Sequence, residues 1–97
     1  MATLKNNELV FGGGETPFKL RNGGTNGNCN NFKEPGIYMA YNPSNMPDPS
    51  GEKWVTIVTI PVPTNDYPFQ IAFKMGSSII YKRHTTYQLA WSAWETL

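Results

Sequence analysis

Cysteine occurs once in these 97 residues, at Cys29, and histidine once, at His84. A single thiol excludes an intrachain disulfide, so the fold does not rest on a covalent framework. The two residues together cannot supply the four ligands of a structural zinc site, and no cofactor is expected. Charge is scarce as well: charged residues make up 15% of the chain and the net charge is +1. A nucleic-acid partner would require a basic stripe. Lys82, Arg83 and His84 are adjacent but isolated, and read as a solvated strand end. No run approaches the ~18 apolar residues of a membrane span, and residues 1–6 have no apolar stretch that would make a signal peptide. Neither nucleic-acid binding nor membrane insertion is expected.

Turn-forming residues are plentiful. There are nine glycines and eight prolines, and asparagine is dense between Asn22 and Asn45. Gly and Pro are the poorest helix formers, and Asn favours turns. The composition predicts a mainly β fold: a small antiparallel meander of four to five strands with long Pro-, Gly- and Asn-rich loops and at most one short helical turn. Short strands are expected over residues 8–11 and 17–21, with a glycine break between them. Residues 28–32 suit one helical turn capped by Asn28. Residues 37–41 follow the Pro35-Gly36 turn as a strand. Residues 54–60 are β-branched or aromatic throughout and apolar on both faces, which places them centrally in a sheet. Residues 69–75 alternate, with Phe69, Ile71, Phe73 and Met75 on one side and Gln70, Ala72 and Lys74 on the other. Gly76-Ser77 is expected to make a tight hairpin into residues 78–83. Residues 91–97 form a last strand or short return. In a strand Trp91 and Trp94 would face opposite sides, with Trp91 buried.

Catalytic patterns are thin. A serine or cysteine nucleophile would need His84 as its base, and no Asp lies near His84 in sequence. The asparagine-rich surroundings of Cys29 carry no sign of an activated thiol. The seven acids, Glu8, Glu15, Glu34, Asp48, Glu52, Asp66 and Glu95, sit mostly in turns, and none lies mid-strand in an apolar setting that would suit acid catalysis. The aromatics are the larger question. Sugars stack on exposed rings, and aromatic residues anchor interfaces, but a small domain also needs large rings to fill its core. Trp54 and Trp91 are expected in that core.

The order of the pieces carries a resemblance. Asn31-Phe-Lys-Glu-Pro-Gly-Ile-Tyr38, the strand over residues 54–60, Gln70-Ile-Ala72, Ile80-Tyr-Lys-Arg83 and Trp91-Ser-Ala-Trp94 occur in an arrangement that resembles the knob domains of bacteriophage tail fibres and R-type pyocin fibres. The resemblance covers residues 28–97. Residues 1–27 lie outside it, as an N-terminal extension, a linker or the end of a shaft. The resemblance implies a non-enzymatic structural and recognition module of a phage or prophage tail fibre, located in the virion or in a bacterium carrying a prophage. It implies attachment to the host surface and no catalytic residues. Its partners would be other fibre segments, further copies in a homotrimer, and a host-surface glycan or protein. The isolated chain is then expected as a monomer or a weak trimer. Two other readings stay open: a free-standing carbohydrate-binding module using exposed Trp and Tyr, and a small hydrolase.

Loops on a rigid sheet are where recognition usually resides. The loop rim expected to bind a ligand comprises Tyr41, Asn45, Asp48, Asp66, Tyr67, His84, Tyr87 and Gln88. The competing role of these loops is plain: their prolines stiffen solvated connections.

Overall fold

The computed structural model describes residues 2–5, 8–11, 17–61, 67–86 and 88–97, with side chains from residue 18 onward. The fold is mainly β. Eight strands follow one another in chain order across the sheet: β1 (Ala2–Lys5), β2 (Glu8–Phe11), β3 (Pro17–Thr25), β4 (Gly36–Tyr41), β5 (Trp54–Pro61), β6 (Pro68–Lys74), β7 (Ile80–His84) and β8 (Glu95–Thr96). Six of them, β3 to β8, form the main ladder, and the β1–β2 hairpin joins the start of β3. The sheet therefore runs to more strands than the four or five expected. Short elements such as Glu95–Thr96 have too few residues to show an alternating pattern in sequence. One 3-10 turn, η1 (Cys29–Asn31), interrupts the strands. Asn28 caps it as expected, its side chain accepting from the Asn30 N–H at 2.9 Å.

β3 and β4 pair in parallel, the one exception among the described strand pairs. A parallel pair needs a crossover. Residues 26–35 provide it, passing over one sheet face and carrying η1. β3 thus lies within the sheet that the later strands continue. The crossover also builds the core, because Cys29 and Phe32 drop from it onto Tyr38, Ala40, Val55, Ile57 and Ala72. Phe32 stacks on Tyr38 with ring centroids 4.6 Å apart and 10° between planes. Burial of these apolar groups is the main force holding the crossover down.

Strand alternation divides the residues cleanly between two sheet faces. On the covered face the ladder aligns Gly36 with Thr59, Tyr38 with Ile57, Thr59 with Gln70 and Gln70 with Arg83. The opposite face carries Leu20, Ile37, Met39, Trp54, Val58, Ile71 and Phe73, all partly or largely exposed. The alternation of β6 is thus as expected, but its polar side is the buried one. Gln70 is 0% exposed, while Phe73 is 40% exposed. The reason lies in the crossover, whose backbone carbonyls need donors. Thr59 Oγ1 donates to the Phe32 carbonyl at 2.7 Å, and Gln70 Nε2 donates to the carbonyls of Cys29 and Phe32, each at 3.0 Å.

Trp54 does not join the core. It is 48% exposed on the apolar face, edge-on to Tyr41 at 4.8 Å. The expected tight hairpin after β6 is looser: the β6–β7 ladder closes at Phe73 and Ile80, and residues 75–79 turn outside it.

Candidate functional site

The asparagine-rich segments form a wall. Ser44 N–H donates to the Gly27 carbonyl at 2.8 Å, and Cys29 N–H to the Ser44 carbonyl at 3.0 Å. Asn42 Nδ2 donates to Asn26 Oδ1 at 3.0 Å, and Asn45 Nδ2 to Asn28 Oδ1 at 2.9 Å. Asn26, Asn42 and Asn45 all adopt left-handed backbone conformations, with φ between 52° and 60°. Asparagine tolerates that region better than most residues, because its side chain can bond locally. Two loops distant in sequence are thereby zipped together.

The C-terminal segment forms the facing wall. Ser92 N–H donates to the His84 carbonyl at 2.7 Å, and Ser92 Oγ accepts from His84 N–H at 3.0 Å. This brings residues 91–94 across the end of β7. Trp91 Nε1 donates to the Asn30 carbonyl at 3.4 Å, and Trp94 Nε1 to the Asn45 carbonyl at 2.7 Å. Between the walls lies a cleft of about 820 Å³ with Arg83 in its lining.

Arg83 is the central group. It is 3% exposed. Its guanidinium carbon lies 4.0 Å from the Trp91 ring centroid and 4.6 Å from that of Trp94, and its Nε donates to Gln70 Oε1 at 2.8 Å. No described carboxylate pairs with it. Burial without a counter-charge pushes its pKa down from 12.5 to about 10; such a shift still leaves the group charged at neutral pH. The neighbouring Cys29 thiol is pushed up to about 11 by burial, and is protonated and inert at neutral pH. Two buried side-chain atoms lack a partner among the described residues, Arg83 Nη2 and Asn30 Oδ1. Arg83 and Asn30 both line the cleft.

The expectation that Trp91 and Trp94 face opposite sides is corrected by this arrangement. Only Glu95–Thr96 is strand in this segment. Residues 92–94 are irregular, so the alternation rule does not apply, and both half-buried rings close on the same guanidinium.

Of the expected rim, Asn45 lines the cleft. Tyr41 sits at the opposite face against Trp54. Asp48 is tied into its own loop: Ser50 Oγ donates to it at 2.6 Å and Lys74 Nζ lies 3.8 Å away. The Ser50 hydrogen bond first, then the Lys74 charge, hold its carboxyl below the usual range. His84 ends β7 with its side chain exposed, Gln88 is exposed beside Thr86, and Tyr67 is half-buried at the start of β6. Asp66 and Tyr87 lie outside the described residues. The described rim residues therefore do not converge on one place. Arg83, Asn30 and Trp94, which line the cleft, were not among the expected rim residues. A basic residue inside an apolar alternating strand, followed closely by two tryptophans, is the signal that could have found them.

Among the described residues, no three His, Cys, Asp or Glu side chains are placed to hold a metal ion. Comparison with protein-family models, curated proteins and solved structures returned no match.

Proposed function

We propose that this chain is a non-enzymatic structural and recognition module of a phage or prophage tail fibre, packed against further copies of itself through the open face of its sheet and contributing to host-surface attachment. The observation that carries this reading is the uncovered apolar face. Met39, Trp54 and Phe73 are 51%, 48% and 40% exposed there. A shallow groove of about 280 Å³ runs between Trp54, Met39, Phe73 and Met75. Among the described strands, Lys, Glu and His side chains on this face are confined to Lys82, His84 and Glu95 at the β7–β8 edge. Contiguous exposed apolar surface of this kind marks an interaction site. A face with almost no charge presents no electrostatic repulsion to another copy, and most soluble oligomers are closed homo-oligomers, threefold rings among them. The resemblance to fibre knobs adds the number three.

Light scattering across a concentration series tests the reading. Reversible association to three copies is expected; a tight dimer, or a monomer at every concentration, contradicts it. A free-standing carbohydrate-binding module is the second reading, favoured by the Trp91–Trp94 pair beside a polar cleft. A strictly monomeric, glycan-binding protein would establish it in place of the first.

A further inference from the structure

The asparagine wall of the cleft uses only half of its amides. Asn26 Oδ1 accepts from Asn42 Nδ2, and Asn28 Oδ1 from Asn45 Nδ2. Asn26, Asn42 and Asn45 are exposed and line the cleft. Each keeps one amide end that bonds to no described residue: Asn26 Nδ2 as a donor, Asn42 Oδ1 and Asn45 Oδ1 as acceptors. They form one row, because Asn26 N–H donates to the Tyr41 carbonyl, Ser44 N–H to that of Gly27 and Cys29 N–H to that of Ser44, holding the two loops in register. Trp94 closes the row, its Nε1 on the Asn45 carbonyl. Each amide is fixed by its neighbour before a ligand arrives, so little side-chain freedom is left to lose on binding. Charge is out of reach. Among the described residues lining the cleft Arg83 is the one charged group, and it is 3% exposed, held by Gln70 and the two indoles.

We propose that the cleft binds an uncharged oligosaccharide, its hydroxyls on the free amide ends of Asn26, Asn42 and Asn45 and the apolar side of a ring toward Trp94. A hydroxyl both donates and accepts, so neighbouring hydroxyls match a row of mixed donors and acceptors. An indole suits the apolar C–H side of a sugar ring. A volume of about 820 Å³ is that of an organic-ligand site and far exceeds a single ion. An anionic sugar would give up its hydration to a lining with no reachable counter-charge. The assignment deepens the recognition half of the proposed function and does not rest on self-association, since none of these groups belongs to the apolar face.

Tryptophan fluorescence titration of the intact chain is the test. Maltotriose, cellotriose, mannotriose, galactotriose and chitotriose are the neutral probes, each taken to about 10 mM, with trigalacturonate as the acidic comparator. A saturable change in emission with at least one neutral probe is expected, with trigalacturonate binding no tighter than the best of them. The affinity should hold between about 0.1 M and 1 M sodium chloride, because no reachable charge takes part. The double variant Asn42→Gly, Asn45→Gly removes two amides where the left-handed backbone suits glycine. It should keep the wild-type circular dichroism and lose at least about tenfold in affinity, for two hydrogen bonds. Should the double variant unfold, either single variant reads the same effect, at about fivefold. Silence from every neutral probe, tighter binding of trigalacturonate, an affinity that collapses with salt, or full affinity in the folded glycine variants overturns the assignment. Light scattering on the same samples keeps the two proposals distinct. A trimer that ignores every neutral probe loses the cleft assignment and retains the fibre reading; a monomer that binds one retains the cleft assignment and loses the trimer.

Discussion

Gln70 joins the sheet to the crossover through both ends of one amide. Its Nε2 serves the carbonyls of Cys29 and Phe32, and its Oε1 accepts from Arg83 Nε. Truncation would leave a cavity and deprive the buried Arg83 Nε of its acceptor, while the Phe32 carbonyl keeps Thr59 Oγ1 and the Cys29 carbonyl keeps the Phe32 N–H. Gln70→Ala is expected to cost about 2–4 kcal/mol in a urea melt, combining a cavity term with one unsatisfied buried donor. A loss below about 1 kcal/mol would show that the amide is not the joint described here. Cys29 supplies a pH signature. Its folded pKa of about 11 stands above the ordinary 9.0. Between these values the unfolded chain binds fewer protons, so stability falls as pH rises. Arg83, with its pKa lowered to about 10, works in the opposite sense above that pH, because deprotonation relieves the cost of its buried charge. The net fall is therefore concentrated between pH 9 and 10, at about 1 kcal/mol. Urea midpoints at the two pH values should show it in the wild type and not in Cys29→Ala.

At the scale of elements, the parallel β3–β4 pair depends on one residue without a side chain. Gly36 has φ of 150°, and a Cβ there would lie 2.3 Å from the Lys19 carbonyl oxygen and 2.9 Å from Arg21 Nε. Arg21 Nε in turn donates to the Pro35 carbonyl at 2.8 Å. Gly36→Ala must push the strands apart and is expected to cost about 3 kcal/mol or more, well above the ~1 kcal/mol of ordinary backbone strain. Gly24→Ala is the control, since φ is also positive there but nothing stands within 4 Å of the added carbon. Equal melting points for the two variants would contradict the close approach.

Local chemistry explains which elements were legible in the sequence. β5 announces itself because its residues are β-branched or aromatic in an unbroken row, and its central position between β4 and β6 follows from two apolar faces. The Asn28 cap was legible because capping is a contact two residues long. The sidedness of β6 was not. Hydrophobicity alone would bury Phe73 and expose Gln70, whereas the crossover's carbonyls, contributed from about forty residues away, call Gln70 inward. The cleft was hidden for the same reason. Its two walls meet through bonds such as Trp94 Nε1 to the Asn45 carbonyl, separated by 49 residues, and no local pattern predicts such a pairing.

The whole molecule has two unlike sides. One is a finished core, closed by the crossover and by the 42–53 loop, whose Met46 packs against it and whose Asp48 and Ser50 carbonyls accept from Lys74 Nζ. The other is a bare apolar sheet face that water meets directly. Apolar surface contributes roughly 25 cal/mol for each Å² removed from water, so the proposed packing of further copies would draw its driving force from that face, while the core beneath is already covered. That asymmetry is the central claim, and sedimentation equilibrium on the wild type and on a Met39→Glu, Phe73→Glu double variant tests it most directly. The account predicts a reversible trimer for the wild type and a monomer for the variant, with the variant's circular dichroism unchanged because both positions lie on the open face. A variant that associates as the wild type does, or that fails to fold, would contradict it.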